Sequence, residues 1–139
     1  MQRVVLDPSV LVSAVLSSSG APAEILDRWR GGEFDLIVSP LLLNELEDVL
    51  LRPKFAAIVE EDDVRAYVDA LAGEGLLVRD PPEPEQRTRD PDDDYIVALA
   101  IEAAAEAIVS GDADLLELEN PPLPVLTPRQ FVELLDSSA

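Results

Sequence analysis

Four carboxylates stand out because each adjoins a predicted strand or helix at the same end of an inferred sheet. Asp7 closes the first apolar, β-branched run, and Asp112 follows the fourth. Glu45 lies inside a predicted helix, and Asp94 begins another, just ahead of an apolar stripe. Clustered carboxylates repel one another, and a bound Mg²⁺ or Mn²⁺ is the usual resolution. The pattern therefore indicates a divalent-metal site built from these acids.

Each acid also has an explanation that involves no metal. Asp7 could be a turn residue at a strand end, and Asp112 could be a turn residue beside Gly111. Glu45 stands among other acids on a helix face that could be solvated, and Asp94 could be only a helix N-cap. Their joint placement, with no basic residue nearby in sequence, favours a shared site over four separate explanations.

The elements that must position these acids alternate between strands and helices. This alternation predicts an α/β fold: a three-layer α/β/α sandwich with a central, mainly parallel, five-stranded sheet, in a single domain over residues 1–139. Ligands on such sheets bind beyond the carboxyl ends of the strands, at a switch in strand order. Ser9 is expected to cap the first helix, because Pro8 cannot continue a strand ladder. The predicted strands cover 3–7, 34–38, 76–79, 107–110 and 124–126, and the predicted helices cover 10–16, 23–30, 40–51, 54–59, 62–72, 94–105, 114–119 and 128–135.

Composition narrows the chemistry. The chain of 139 residues contains neither cysteine nor histidine, which excludes thiol nucleophiles, zinc thiolates and imidazole bases. Its 10 basic and 29 acidic residues give a net charge of −19, so most of its surface should repel nucleic acid unless a bound metal reverses the local sign. No apolar run reaches the ~18 residues of a membrane span. We expect a cytoplasmic protein.

Several phrases in the sequence resemble the motifs of PIN-domain ribonucleases, and more narrowly those of the VapC-like toxins of toxin–antitoxin pairs. The resemblance covers nearly the whole chain, and the motifs are specific in their order and spacing rather than singly. The matching phrases are VVLDPSVLVSA at 4–14, SPLLLNEL at 39–46, LRPKF at 51–55, DPDDD at 90–94 and VSGDADLL at 109–116.

The resemblance implies roles for individual residues. The third acid requires a choice among Asp92, Asp93 and Asp94, and counting back from Asp112 favours Asp94. Pro8 replaces the threonine that is usual in the family, which removes a backbone donor and a hydroxyl. The implied metal-binding and catalytic acids are Asp7, Glu45, Asp94 and Asp112, with Asp114 as an auxiliary acid, Ser9 as a supporting hydroxyl, and Arg52 and Lys54 as possible RNA contacts.

The implied function is a Mg²⁺- or Mn²⁺-dependent endoribonuclease that acts as a toxin and is inhibited by a protein antitoxin encoded beside it. The resemblance also implies a homodimer, for which Leu26 with Trp29 and Leu41 with Leu42 offer apolar helix stripes. An alternative is a weakly active or inactive PIN-fold module that acts by binding a protein partner. A haloacid-dehalogenase-type phosphotransferase is disfavoured because Asp7-Pro8-Ser9 lacks the second acid, and a receiver domain because no lysine lies late in the chain.

Overall fold

Five strands form one sheet in which every adjacent pair runs parallel, as the computed structural model shows for the residues that it describes, 2–138. The strand order is β3-β2-β1-β4-β5. The strands are β1 (Arg3–Leu6), β2 (Asp35–Val38), β3 (Leu76–Leu77), β4 (Ala107–Val109) and β5 (Val125–Leu126), and the helices are α1 (Pro8–Leu16), α2 (Ala21–Arg30), α3 (Pro40–Leu50), α4 (Glu61–Glu74), α5 (Pro91–Glu102), α6 (Ala113–Leu116) and α7 (Pro128–Ser138), with a 3₁₀ turn at Pro53–Phe55. The predicted α/β sandwich with a five-stranded sheet is confirmed.

The three central strands are apolar on both faces because helices cover both sides of the sheet. In β1, β2 and β4, Val4, Leu36 and Ile108 are buried together with their apolar strand neighbours. Such continuous apolar runs are typical of parallel sheets. The edge strands β3 and β5 have only two residues each, which limits the unpaired backbone that they present.

The helices divide into two layers. On one side, α1 packs against α2 and α3, α3 packs against α4, and α2 packs against α7, while α5 contacts β1 and β4. From β1 to β3 the chain moves across the sheet in one direction, and from β3 to β4 it returns in the other. Because the crossovers are right-handed, this return places α5 on the face opposite to α1–α4. The switch in strand order therefore lies between β1 and β4, where a ligand site is expected.

Two of the helix starts that differ from the prediction bear on the predicted acids. Asp7, not Ser9, is the N-cap of α1: its side chain accepts a hydrogen bond from the Ser9 N–H, and Pro8 takes the first turn, where no backbone donor is needed. Helix α5 begins at Pro91 rather than Asp94, with Asp90 as its N-cap. The first turn of α5 therefore contains Asp92, Asp93 and Asp94 together.

Most of the apolar residues that were expected to form spare helix stripes belong to the core. Leu26, Trp29 and Leu42 are buried within the chain, and only Leu41 of the four predicted interface residues is exposed. The stripe formed by Leu26 and Trp29 was therefore a wrong prediction, because α2 turns that face onto neighbouring helices. Among residues 2–138, no single helix is long and apolar enough to cross a membrane; α1 and α2 pass that test only as a pair, which is bent by 96°.

Candidate metal centre

Three carboxylates meet beyond the carboxyl ends of β1 and β4. Asp7 follows β1, Asp112 follows β4, and Asp93 projects from the first turn of α5. Each offers one carboxylate oxygen, and these oxygens lie within 4.8 Å of one another. We call Asp7, Asp93 and Asp112 the acidic cluster.

Asp7 is held in place by two donors, one of which the sequence did not suggest. The Ser110 hydroxyl donates to Asp7 Oδ2 at 2.7 Å, and the Ser9 N–H donates to Oδ1 at 3.2 Å. Burial raises the pKa of Asp7, although the bonds from Ser110 and Ser9 act in the opposite direction. These bonds fix the orientation of a carboxylate that is costly to ionise without a cation.

Asp93 is the most constrained member of the acidic cluster. Its side chain is only 4% exposed, and its Oδ2 atom is buried without a hydrogen-bond partner. Burial raises the pKa of Asp93, and the neighbouring charge of Asp112 raises it further. A buried carboxylate oxygen that accepts no hydrogen bond needs an explanation. Coordination of a divalent cation would provide one, because such cations bind carboxylate oxygens.

Asp112 is positioned by the start of α6. It is the N-cap of that helix, and its Oδ1 accepts the Asp114 N–H at 2.9 Å. The backbone N–H of Asp112 donates to the same Ser110 hydroxyl that binds Asp7. Ser110 therefore connects two members of the acidic cluster. The Asp114 carboxylate lies 3.5 Å from Arg89, beside a second groove, and was expected to be auxiliary to the cluster.

Glu45 and Arg52 share a cleft with the acidic cluster. This acidic cleft has a volume of about 430 Å³ and is also lined by Ser9. Glu45 is half-buried, and burial, followed by the charges of Asp92 and Asp7, raises its pKa. Lys54 is not among the residues that line the cleft, and its ammonium lies 5.0 Å from the centre of the Phe55 ring.

The predicted third acid, Asp94, does not join the acidic cluster. Its Oδ1 accepts the backbone N–H groups of Arg87 at 2.9 Å and Thr88 at 2.7 Å. An earlier helix start explains the difference: residues one apart on an α-helix point about 100° apart, so Asp93 lines the cleft while Asp94 faces the loop that precedes α5. The geometry favours Asp93 at the third position.

A partly buried polar network connects the two helices that carry Glu45 and Asp93. The Tyr95 hydroxyl on α5 forms hydrogen bonds with Ser39, the N-cap of α3, and with Asp80 at 2.5 Å. Asp80 in turn accepts the Leu41 N–H. The starts of α3 and α5 are thereby fixed relative to each other.

The donor set of the acidic cluster fits a hard divalent cation. Its ligand atoms are carboxylate oxygens, which suit Mg²⁺ and Mn²⁺. None of its three carboxylates forms an ion pair within the described chain. Asp93 Oδ2 has no hydrogen-bond partner, and burial raises the pKa values of Asp7 and Asp93, so a divalent cation bound here would stabilise the charged form of both carboxylates.

Comparison with known proteins identifies the family of this chain. A family model described as PIN domain matches residues 3–114, which is most of the chain. The chain belongs to the PIN domain family. PIN domains are generally nucleases and typically use divalent metals. The acidic cluster therefore belongs to a family in which divalent metals are usual.

Other relatives extend the comparison over nearly the full length. The uncharacterized protein MJ1680 of Methanocaldococcus jannaschii is 29% identical, and the alignment covers 94% of this chain and 90% of that protein. The PIN fold is shared with PAE2754 of Pyrobaculum aerophilum, which has a TM-score of 0.67 and 14% identity, over 99% of this chain and 90% of that one.

Two further solved structures share this fold. VapBC2 of Rickettsia felis, bound to a DNA fragment from their promoter, has a TM-score of 0.64 and 12% identity. FitAcB of Neisseria gonorrhoeae has a TM-score of 0.57 and 15% identity. In both cases the match covers 91% of this chain and 98% of the other.

Ser110 is the site residue that sequence reasoning missed. It is fully buried, and it donates to Asp7 while accepting from the Asp112 N–H. The available signal was a hydroxyl at the end of an apolar strand, directly before Gly111-Asp112. A buried hydroxyl needs partners, so its position at a strand end could have predicted contact with the acids that gather there.

Proposed function

We propose that this PIN-domain protein is a Mg²⁺- or Mn²⁺-dependent endoribonuclease that acts as the toxin of a toxin–antitoxin pair. The observation that carries the proposal is the acidic cluster, in which carboxylate oxygens of Asp7, Asp93 and Asp112 lie within 4.8 Å of one another. The buried, unpartnered Oδ2 of Asp93 supports a cation there rather than a structural hydrogen-bond network.

The proposed chemistry divides between the cation and the protein. When bound, a divalent cation supplies Lewis acidity, which lowers the pKa of water and stabilises the charge that develops on phosphate oxygens. Asp7, Asp93 and Asp112 would hold it, while Ser110 orients two of these acids. Glu45, whose pKa is raised by burial and by neighbouring acids, is placed in the same cleft to bind or accept a proton from water.

Arg52 is the proposed contact to an RNA phosphate within the acidic cleft. It is the only basic residue among the described residues that line this cleft, and it is exposed. The chain has a net charge of −19, so the positive guanidinium group of Arg52 would lower the repulsion between the protein and an RNA strand in the cleft. Lys54, which lies over Phe55 outside the cleft lining, is a weaker candidate for the same role.

We also propose a protein antitoxin and a homodimer. A basic segment of an antitoxin could occupy the acidic cleft, because an arginine fork matches paired carboxylates and would replace the charge of the cation. The proposed dimer would have to use exposed apolar residues such as Leu41, Leu51 and Ile58, since Leu26 and Trp29 are buried. Cleavage of cellular RNA would take place in the cytoplasm.

The test of the nuclease is cleavage of a mixed pool of structured RNAs by purified protein with Mn²⁺, with Mg²⁺ and with EDTA. We expect cleavage only with metal, and we expect Asp93→Asn and Asp112→Asn to abolish it. Asp62→Asn is the matched control, because Asp62 is an exposed acid in the first turn of α4 and its substitution makes the same change in charge.

The antitoxin test uses the product of the neighbouring gene, co-expressed with this chain. We expect a stable complex, restored growth, and release of inhibition at high Mn²⁺ if a basic segment competes with the cation. A wild-type protein that binds this partner and Mn²⁺ but cleaves no RNA would support the alternative of an inactive binding module. A partner that neither binds nor protects would remove the toxin part of the proposal.

A further inference from the structure

Asp94 is buried, but it lies outside the acidic cleft. Its carboxylate accepts hydrogen bonds from the backbone of the preceding loop. Its Oδ1 accepts the N–H groups of Arg87 and Thr88. The Thr88 hydroxyl donates to the Asp90 carbonyl at 2.8 Å and accepts the Asp90 N–H at 3.1 Å. These four bonds fix residues 87–90, which we call the arginine turn, against the start of α5.

The arginine turn presents cations beside the acidic cleft. Arg89 lies 3.5 Å from Asp114, and 92% of its side chain is exposed, so this ion pair is loose. Arg87 and Arg89 border a groove of about 630 Å³, of which Asp114 forms another part of the wall. Because the Asp114 N–H binds Asp112, the groove adjoins the acidic cluster.

Arg52 and the arginine turn lie on opposite sides of the acidic cluster. Arg52 follows α3, which continues from β2, whereas Arg89 lies beside α6, which contacts β5. In the sheet, β2 and β5 flank the pair β1 and β4, whose ends carry Asp7 and Asp112. A strand that crosses the cluster from the β2 side to the β5 side therefore meets positive charge before and after it.

This arrangement matters because the rest of the surface is strongly negative. A polyanion gains affinity from each phosphate that a lysine or arginine neutralises, and it is repelled elsewhere. Glu117 and Glu119 line the same groove and would repel a nucleic-acid strand there. Arg87 and Arg89 are the basic residues of that groove, so they offer the strand positive charge on the α6 side of the cleft.

We propose that Arg89 contacts a phosphate of the substrate strand on the α6 side of the cleft, and that Asp94 is a positioning residue that holds the arginine turn for this contact. This inference rests on the proposed nuclease function. It assigns the two consecutive acids of α5 to different tasks, with Asp93 in the acidic cluster and Asp94 on the backbone of the turn.

The first experiment compares Arg89→Gln with Arg65→Gln. Arg65 is an exposed arginine in an ion pair with Glu61 on α4, so both variants remove one surface cation and make the same change in net charge. Binding of a short single-stranded RNA is measured by fluorescence anisotropy in the Asp112→Asn background across a range of salt concentrations. We expect Arg89→Gln alone to weaken binding and to reduce the slope of log K against log salt by about 0.7, as for one lost phosphate contact.

The second experiment separates positioning from metal ligation. Asn can accept the same two N–H bonds, so Asp94→Asn should retain Mn²⁺ binding by calorimetry and KM for RNA, whereas Asp94→Ala should raise KM more than it lowers kcat. The effects of Asp94→Ala and Arg89→Gln should be less than additive, because both act on one contact.

The outcomes are distinct. Loss of Mn²⁺ binding in Asp94→Asn, or equal RNA affinity of Arg89→Gln and Arg65→Gln in a protein that cleaves RNA, would overturn this inference alone. A wild-type protein that neither binds nor cleaves RNA would overturn both this inference and the proposed function.

Discussion

Asp93→Asn is the substitution that tests the acidic cluster most directly. At an effective dielectric constant of about 20, two charged carboxylates whose oxygens lie within 4.8 Å of each other repel by at least about 3 kcal/mol. Protonation relieves part of this repulsion, since burial and Asp112 raise the pKa of Asp93. The amide has nearly the same shape and no charge, so we expect the metal-free free energy of unfolding to rise by about 1–2 kcal/mol.

The assay is thermal unfolding with and without Mn²⁺, at ionic strength matched with NaCl. A gain of about 1–2 kcal/mol should raise the metal-free Tm of a chain of this size by roughly 3–7 °C. Mn²⁺ at a hundredfold excess over Kd should stabilise the wild-type protein by about 2.7 kcal/mol. Asp93→Asn should lose most of this response, because it removes a charged ligand atom.

The control is Asp62→Asn, which removes an exposed acid from the first turn of α4 and should leave the Mn²⁺ response intact. The reasoning is refuted if Asp93→Asn unfolds at the wild-type temperature both with and without Mn²⁺. In that case the three carboxylates neither repel one another appreciably nor share a cation.

Three other predictions concern the surroundings of the acidic cluster. Ser110→Ala should lower the free energy of unfolding by about 1–3 kcal/mol in denaturant titrations, because Asp7 and the Asp112 N–H lose a buried partner, and should weaken Mn²⁺ binding by about 10- to 100-fold. Tyr95→Phe should cost about 1–2 kcal/mol by removing the bonds to Ser39 and Asp80, while the change in Tm caused by Mn²⁺ stays at its wild-type value. Burial raises the pKa of Asp7, and burial together with the charge of Asp112 raises the pKa of Asp93 to about 7, so the metal-free folded state binds protons that the unfolded chain releases; its free energy of unfolding should rise as the pH falls from neutrality towards about 5. With saturating Mn²⁺ that trend should reverse, because the cation requires deprotonated carboxylates, and a metal-free Tm that falls over the same pH range would contradict the assignment.

The fold could be predicted because its signals are local and strong. The apolar runs at Val4–Leu6 and Ala107–Val109 are too short and too uniformly hydrophobic for amphipathic helices, and helical segments separate them. Prolines after Asp7, Ser39 and Asp90 mark first turns of helices. These features fix the strand ends, and therefore the edge of the sheet where Asp7 and Asp112 meet.

Buried surfaces were harder to predict than elements. Leu26 and Trp29 form an apolar stripe on α2, and a stripe of this kind fits an oligomer interface as well as a core. Only the packing of α2 against α1 and α7 decides between them, and both residues are buried there. The role of Ser110 was missed for a related reason: a hydroxyl shows its function only when its partners, 103 residues away in one case, are brought to it.

The choice among three consecutive acids shows where sequence spacing stops being informative. Counting back from Asp112 has an uncertainty of about one residue, and one residue on a helix is about 100° of rotation. The start of α5 at Pro91, with Asp90 as N-cap, sets that rotation. Asp93 then faces the acidic cluster, Asp94 faces the arginine turn, and Asp92 is exposed at the rim of the cleft.

Substitutions at Asp7 and at Asp93 differ in how directly they test repulsion and cation binding within the acidic cluster. Asp7 is both a member of the cluster and the N-cap of α1, where its negative charge also meets the positive end of the helix dipole. Asn is an equally good N-cap, but it would lose the dipole interaction and exchange a carboxylate oxygen for an amide at the bond with Ser110. Several effects of opposite sign therefore combine at Asp7. Asp93 caps no helix and has an oxygen with no hydrogen bond to lose. Its charge also meets the dipole of α5, but that interaction is worth about 0.3–1 kcal/mol, less than the repulsion within the cluster, so repulsion and cation binding dominate the response of Asp93→Asn.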